Sequence, residues 1–292
     1  MRFELTEDQR DFAGSLDSLL ASADTVGVAR AWADGDSAPG LKLWARLAEQ
    51  GLTMLATEAS PVEVCVAFEA LGRHAVPGPW VESAAYLPLA LGREVEGVAT
   101  LALPPHVPFA LDADVADTVY VGSTPATSVG ELVVSVDRSR RLFAVTGDGE
   151  PHPEAFDLAV LATSAQLLGL GERILADTVT YAGQRKQFGR EIGSYQAIKH
   201  HLADVRIALD FARPLVWGAA LDPTSRDVSA AKVACADAAY LASRTGLQVH
   251  GAIGYTQEFD LSIWLTKVRA LVTAWGTPAF HRARVLASLV GA

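Results

Sequence analysis

A chain of 292 residues, 50% hydrophobic and 20% charged, is too long and too apolar for a disordered segment or a small module held together by metals or disulfides. Its 24 Lys and Arg against 34 Asp and Glu leave a formal charge of −10, which supplies no general attraction to a nucleic-acid backbone. The balance is uneven. Residues 1–150 carry 10 basic and 22 acidic groups, residues 151–292 carry 14 and 12, so an anionic ligand is expected to meet the second half.

In chain order, Thr6 and Gln9 form a capping-box pair ahead of Phe12, Leu16, Leu19 and Leu20, which share one helical face. Gly35–Gly40 breaks the chain before a shorter helix through Leu43 and Leu47 that stops at Gly51. Pro61 starts a helix through Val62, Cys65, Phe68 and Leu71 toward Gly72, and Pro77-Gly78-Pro79 interrupts the chain before Trp80. Residues 1–95 therefore read as a helical unit. Residues 96–157 have another texture: Val98–Leu103, Thr118–Val121, Leu132–Val136 and Arg141–Val145 are short apolar or β-branched runs between turn residues, a small β region that needs packing from its neighbours. Residues 158–292 are helical again. Leu167, Leu170, Ile174 and Leu175 begin one apolar face; Ile198, Leu202, Val205 and Leu209 form a second after a turn at Arg190–Ser194. Asp222-Pro223-Thr224 precedes a third helix through Ala234, Ala238, Leu241 and Leu247, and Leu261–Leu289 is broken at Gly276-Thr277-Pro278. Such faces require mutual burial in a bundle. The fold expected is mostly α with a small β region.

Cys65 and Cys235 stand far apart without metal-ligand spacing, as reduced packing residues of a cytoplasmic protein. No metal site is expected. The blandest stretch, Leu158–Gly171, is shorter than an ordinary membrane span, so neither insertion nor secretion is expected. Gly169-Leu170-Gly171 lacks the full spacing and strand setting of a dinucleotide fingerprint and is read as helix packing. Adjacent His200 and His201 point different ways on a helix, which leaves at least one for the surface or a cap.

Tyr181-Ala182-Gly183-Gln184-Arg185-Lys186-Gln187-Phe188-Gly189 is more informative. Arg185 and Lys186 either solvate a helix end, with Phe188 packing and Gly189 turning the chain, or Arg185 holds an anionic cofactor through paired charge-assisted hydrogen bonds. Gln248-Val249-His250-Gly251 with Gly254-Tyr255-Thr256 either turns the chain or brings backbone close to the same ligand.

With Tyr195-Gln196-Ala197-Ile198-Lys199-His200 and Phe68-Glu69-Ala70-Leu71-Gly72-Arg73, these segments resemble acyl-CoA dehydrogenases, over the N-terminal helical region and nearly all of residues 155–290. The resemblance implies an N-terminal helical domain, a middle β domain and a C-terminal four-helix bundle, and FAD-dependent formation of a 2,3-enoyl-CoA. It also implies that Arg185, Gln187, Phe188, Gln196, Gln248 and Gly251 contact FAD, the first three reaching across a subunit interface to a neighbour's cofactor. The family's catalytic glutamate precedes a Gly-Thr pair near the chain end, or lies at the entrance to the first C-terminal helix; Trp275 and Ala159 stand there instead. The β region is short and lacks the Glu-Pro-Gly, Gly-Ser-Asp and Trp-Ile-Thr patterns around the flavin. The chain thus resembles a non-catalytic subunit, with no catalytic residue of its own, that completes the FAD site of a full-length partner. An α2β2 assembly acting on an acyl-CoA, as in actinobacterial steroid degradation, is implied by analogy, with no part for nucleic acid or membrane. Two alternatives stand beside it: a competent homo-oligomer using Glu258 as base, and a flavin-free scaffold.

Overall fold

The computed structural model describes residues 3–291. Its first helix, α1 (Glu7–Ala21), starts at the anticipated capping box: the Gln9 N–H donates to Thr6 Oγ1 at 3.2 Å, and the Thr6 N–H to Gln9 Oε1 at 3.0 Å. α2 (Thr25–Ala33), which periodicity alone did not announce, is capped by Asp24 and buries Trp32. α3 (Ala38–Glu49), a short 3-10 turn at Leu52–Met54, α4 (Leu55–Glu58) and α5 (Pro61–Arg73) follow. Ser60 and Glu63 supply a second capping box at α5. The Pro77-Gly78-Pro79 break is real but short, for the chain resumes as a π-helical turn, Glu82–Tyr86, running into α6 (Leu87–Leu91).

The β region holds six short strands in two sheets: β1 (Ala99–Ala102), β2 (Ala110–Leu111), β3 (Thr118–Val121), β4 (Thr124–Pro125), β5 (Ser128–Val133) and β6 (Leu142–Thr146). β1 runs parallel to β3, which pairs antiparallel with β4; β6 lies antiparallel between β2 and β5. The strand anticipated at Leu132–Val136 lies farther back, at Ser128–Val133. A register irregularity between Val129 and Leu132 lets Ser128 and Val129 pair with β6, while Val134 and Val136 run past the ladder into solvent.

α7 (Pro153–Gln184) opens the bundle, so the division placed between residues 157 and 158 falls inside its first turns. A two-stranded ribbon, β7 (Lys186–Gln187) and β8 (Arg190–Glu191), leads through a 3-10 turn to α8 (Gln196–Leu221). α9 (Ser225–His250), a 3-10 turn at Gly251–Tyr255, α10 (Leu261–Leu271) and α11 (Pro278–Val290) complete the chain. α7 is 32 residues and apolar enough to cross a membrane by length and composition, contrary to the short stretch read from sequence; 83% of its most apolar window is buried against other helices.

α7 packs chiefly on α9 and α5. The α5 crossing is a backbone contact: a Cβ on Gly169 would lie 2.0 Å from the Glu69 carbonyl oxygen, and one on Gly72 would lie 2.1 Å from that of Gln166. Gly169 is thus a packing glycine. Beside the crossing, Arg213 of α8 donates to both Glu69 oxygens (2.9 and 3.0 Å) and to Glu172 (2.8 Å), which also takes two bonds from Arg206 at 2.7 Å. Burial opposes ionisation of Glu172, yet these arginines hold its carboxyl down at about 2. Cys65 and Cys235 are free and fully buried, and burial pushes both thiols up, Cys235 to about 12.

Candidate functional site

Two regions matter, one buried and one exposed. The buried region surrounds the positions where the resemblance puts a catalytic base. Ala159 faces the core with no exposure. Trp275 is 1% exposed, sits at φ 57°, and packs its indole 5.4 Å from Tyr86 and 6.0 Å from Phe156. Phe280 and His106 extend the cluster toward the surface, their rings 4.0 Å apart. The backbone here is pinned from α9 and α11. His281 is bonded to the Trp275 carbonyl through Nε2 (2.9 Å) and to Ser229 Oγ through Nδ1 (3.1 Å), and the buried Lys232 amine donates to the Leu271 carbonyl at 2.7 Å. Burial drives both groups toward neutrality, His281 to about 4 and Lys232 to about 7. Aromatic rings from four segments therefore fill the region around Trp275.

Glu258 is no closer to that role. It is exposed on the turn before α10, and its backbone carbonyl accepts from Arg30 of α2 at 2.7 Å. The same guanidinium pairs with Asp260 at 2.7 Å, so Asp260 is the acidic residue that fixes this turn. One carboxylate that the sequence did not bring forward lies deeper: Glu82, 2% exposed in the π-helical turn that carries Tyr86, with burial raising its carboxyl pKa against the opposing charge of Arg140. Only its place after the Pro77-Gly78-Pro79 interruption marks it in the sequence.

The exposed region is one end of the bundle, where α7 and α9 finish and α8 begins. Tyr181 in the last turn of α7 stacks on His250 in the last turn of α9, with ring centroids 4.1 Å apart and Phe259 behind at 5.3 Å. Burial lowers the His250 pKa, and its Nδ1 is bonded to the Gly246 carbonyl at 2.8 Å. The six residues singled out from sequence lie on the segments that leave or enter these helix ends. Arg185 caps α7, and its carbonyl accepts from the Ile192 N–H at 2.8 Å. Gln187 ends β7, Gln196 opens α8, Gln248 lies in the last turn of α9, and Gly251 follows at φ 63°. The side chains of Arg185, Gln187, Phe188, Gln196 and Gln248 are exposed, and among the described residues Arg185 has no ion-pair partner.

Phe188 departs from the reading in which it packs within the chain. With Gly189 it forms the two-residue loop of the ribbon, at φ 52° and 82°, and it is 93% exposed. Glycine tolerates a left-handed backbone freely, whereas phenylalanine does so at a cost. The ribbon is braced from below: Tyr195 donates its hydroxyl to the Gln187 carbonyl at 3.2 Å, and the Arg190 guanidinium lies 4.0 Å over the Tyr195 ring. The braced loop thus presents a bare aromatic ring to solvent.

Residues 153–290 match the acyl-CoA dehydrogenase C-terminal domain. Acyl-CoA dehydrogenase IpdE2 of Mycolicibacterium smegmatis is 30% identical over 236 residues, covering 74% of this chain and 75% of that protein. The chain belongs to the acyl-CoA dehydrogenase family. A second family member, IpdE2 of Mycobacterium tuberculosis, is 29% identical over 288 residues, or 89% of this chain and 91% of its own length. Among solved structures, the ChsE4-ChsE5 complex from Mycobacterium tuberculosis superposes with a TM-score of 0.81 over 100% of both chains at 21% identity, a likeness of fold. That fold is mostly helical, with a reduced β region and a C-terminal bundle.

Proposed function

We propose that this chain is the non-catalytic subunit of a heteromeric, FAD-dependent acyl-CoA dehydrogenase, completing the cofactor site of a full-length partner. The observation that carries the proposal is Trp275: at the position of the family's base an indole is locked into the core. Family members take a proton from the carbon next to the thioester while bound FAD accepts hydride from the adjacent carbon, giving a 2,3-enoyl-CoA. Proton removal needs a carboxylate in reach of that carbon, and neither Trp275 nor Ala159 supplies one.

The residues fit FAD at one place and not at the other. The interior is filled by the Tyr86, Phe156 and Trp275 rings, and the β region offers only short strands around it. The exposed end offers an unpaired guanidinium, amides and a glycine turn, a donor set suited to the pyrophosphate of a cofactor held mainly by another subunit. There Arg185 would hold the anion, Gln187, Gln196 and Gln248 would offer amide hydrogen bonds, Gly251 would leave room for the cofactor beside the backbone, and Phe188 would supply apolar cover. An α2β2 assembly, a bulky steroid-type acyl-CoA and a cytoplasmic setting belong to the same proposal, by analogy with paired subunits of that class.

Co-expression with the catalytic partner tests it. The chain alone is expected to purify without FAD, and the complex is expected to carry flavin. In the complex, Glu258→Gln and Glu82→Gln are each expected to keep anaerobic flavin reduction by acyl-CoA near the wild-type rate, whereas amide substitution of the partner's glutamate abolishes it. A homo-oligomer with one tightly held FAD per chain, or loss of flavin reduction in either Gln variant at unchanged FAD content and assembly, overturns the assignment.

A further inference from the structure

A pair of stacked rings joins the two arms of the exposed end. On α7, Tyr181 stands one turn before Arg185, and its carbonyl accepts the Arg185 N–H at 2.9 Å. On α9, His250 is the last residue, two beyond Gln248 and one before Gly251. The planes of the Tyr181 and His250 rings are 23° apart, with centroids 4.1 Å apart. The helices come together for this contact at Gly246. A Cβ there would lie 2.8 Å from Ile174 Cγ2 and 3.2 Å from Thr178 Oγ1, so the missing side chain lets α9 run this close to α7.

His250 is held in place before any ligand arrives. Its Nδ1 lies 2.8 Å from the Gly246 carbonyl, which can only accept, so Nδ1 carries the proton and the ring is oriented by its own helix. The turn Gly251–Tyr255 folds back over it: a Cβ on Gly254 would lie 3.2 Å from His250 Cβ. His250 is 5% exposed, whereas Arg185 and Gln248 beside it are in solvent. An oriented, buried ring therefore underlies the turn that carries Gly251, and Tyr181 rests on that ring from the α7 side. Donors on two helices serve one ligand together when the distance between them is set beforehand; otherwise binding itself must fix that distance, at an entropic cost.

We propose that Tyr181 and His250 are positioning residues, whose stack holds the Arg185 arm and the Gln248–Gly251 arm at the separation that one FAD requires. The ligand in this proposal rests on the reading above. The test uses the full chain co-expressed with its catalytic partner and measures FAD dissociation constants by flavin fluorescence. Tyr181→Leu keeps an apolar side chain and a good helix former but loses the flat ring, and is expected to raise the dissociation constant roughly 5- to 10-fold at unchanged subunit stoichiometry. Tyr181→Phe keeps the ring and is expected to stay within about twofold of wild type. On an Arg185→Ala background, Tyr181→Leu is expected to change the constant by less than about twofold, because no guanidinium remains to be aimed. In the complex stripped of FAD, amide hydrogen exchange over residues 186–191 and 251–255 is expected to quicken in Tyr181→Leu and not in Tyr181→Phe. Equal FAD dissociation constants for Tyr181→Leu and wild type, a loss that Tyr181→Phe shares, or full additivity with Arg185→Ala overturns the proposal and leaves the cofactor reading standing. An Arg185→Ala complex that binds FAD as tightly as wild type sinks that reading and the positioning role with it.

Discussion

Arg185 follows the last turn of α7 with its side chain in solvent and, among the described residues, no ion-pair partner. If it clamps a pyrophosphate, Arg185→Ala removes a charge-assisted contact worth about 1.5–3 kcal/mol, so the dissociation constant of FAD from the complex should rise by roughly 10- to 100-fold. Arg185→Lys should recover part of this, since an ammonium matches the charge but not the planar fork. Thermal unfolding of the chain should barely move in either variant; equal FAD dissociation constants would return Arg185 to a helix-end role. At this scale the sequence was informative wherever chemistry is written in residue type. Trp275 and Ala159 are legible in the sequence as residues that cannot take a proton. The plug around Trp275 was not legible, because Tyr86, Phe156 and Phe280 come from three separate segments that only the fold brings together.

The α5–α7 crossing is where element geometry is least forgiving. A methyl on Gly169 would have to displace the Glu69 carbonyl oxygen, a backbone atom that cannot rotate away, so Gly169→Ala should destabilise the chain by about 2–3 kcal/mol through overpacking. The same substitution at Gly14, where nothing lies within 4 Å, should do no harm, and paired urea titrations compare the two. The neighbouring ion-pair network adds a pH dependence. The folded Glu172 carboxyl sits at about 2 against 4.5 for a free glutamate, so between those values the folded chain binds fewer protons than the unfolded one. Its contribution is complete above about pH 4.5 and is lost as pH falls toward 2. With Arg206 partly in solvent, that contribution is about 2 kcal/mol. Glu172→Gln should therefore lie below wild type at pH 6 and approach it by pH 3. Long helices were legible because their apolar faces repeat many times. The β region was not: β2 and β4 have two residues each, and β5 is exposed along its whole length, so burial leaves no alternation to read.

Across the whole molecule, apolar surface is left uncovered in two arrangements with different consequences for assembly. On α8 the exposed Ile207, Phe211, Leu215 and Leu221 project from a helix whose backbone groups are bonded within it. β5 is an edge strand, with Leu132 54% exposed and Val134 and Val136 beyond it at 87% and 57%, and it offers unpaired backbone as well as apolar side chains. An edge of this kind joins other edges without a built-in stop. Sequence composition revealed the shortness of the β region but not this edge, since the valines looked like strand interior until β6 was seen to cover one side only. The isolated chain should therefore associate in an open-ended way as its concentration rises. Val134→Lys puts a charge at the most exposed point of the edge, and since Val134 packs on little, it should change folding stability by no more than about 0.5 kcal/mol. Light scattering of the isolated chain at high concentration should fall in this variant. Scattering that is unchanged by Val134→Lys yet abolished by Phe211→Arg would assign all self-association to α8 and leave the β5 edge inert.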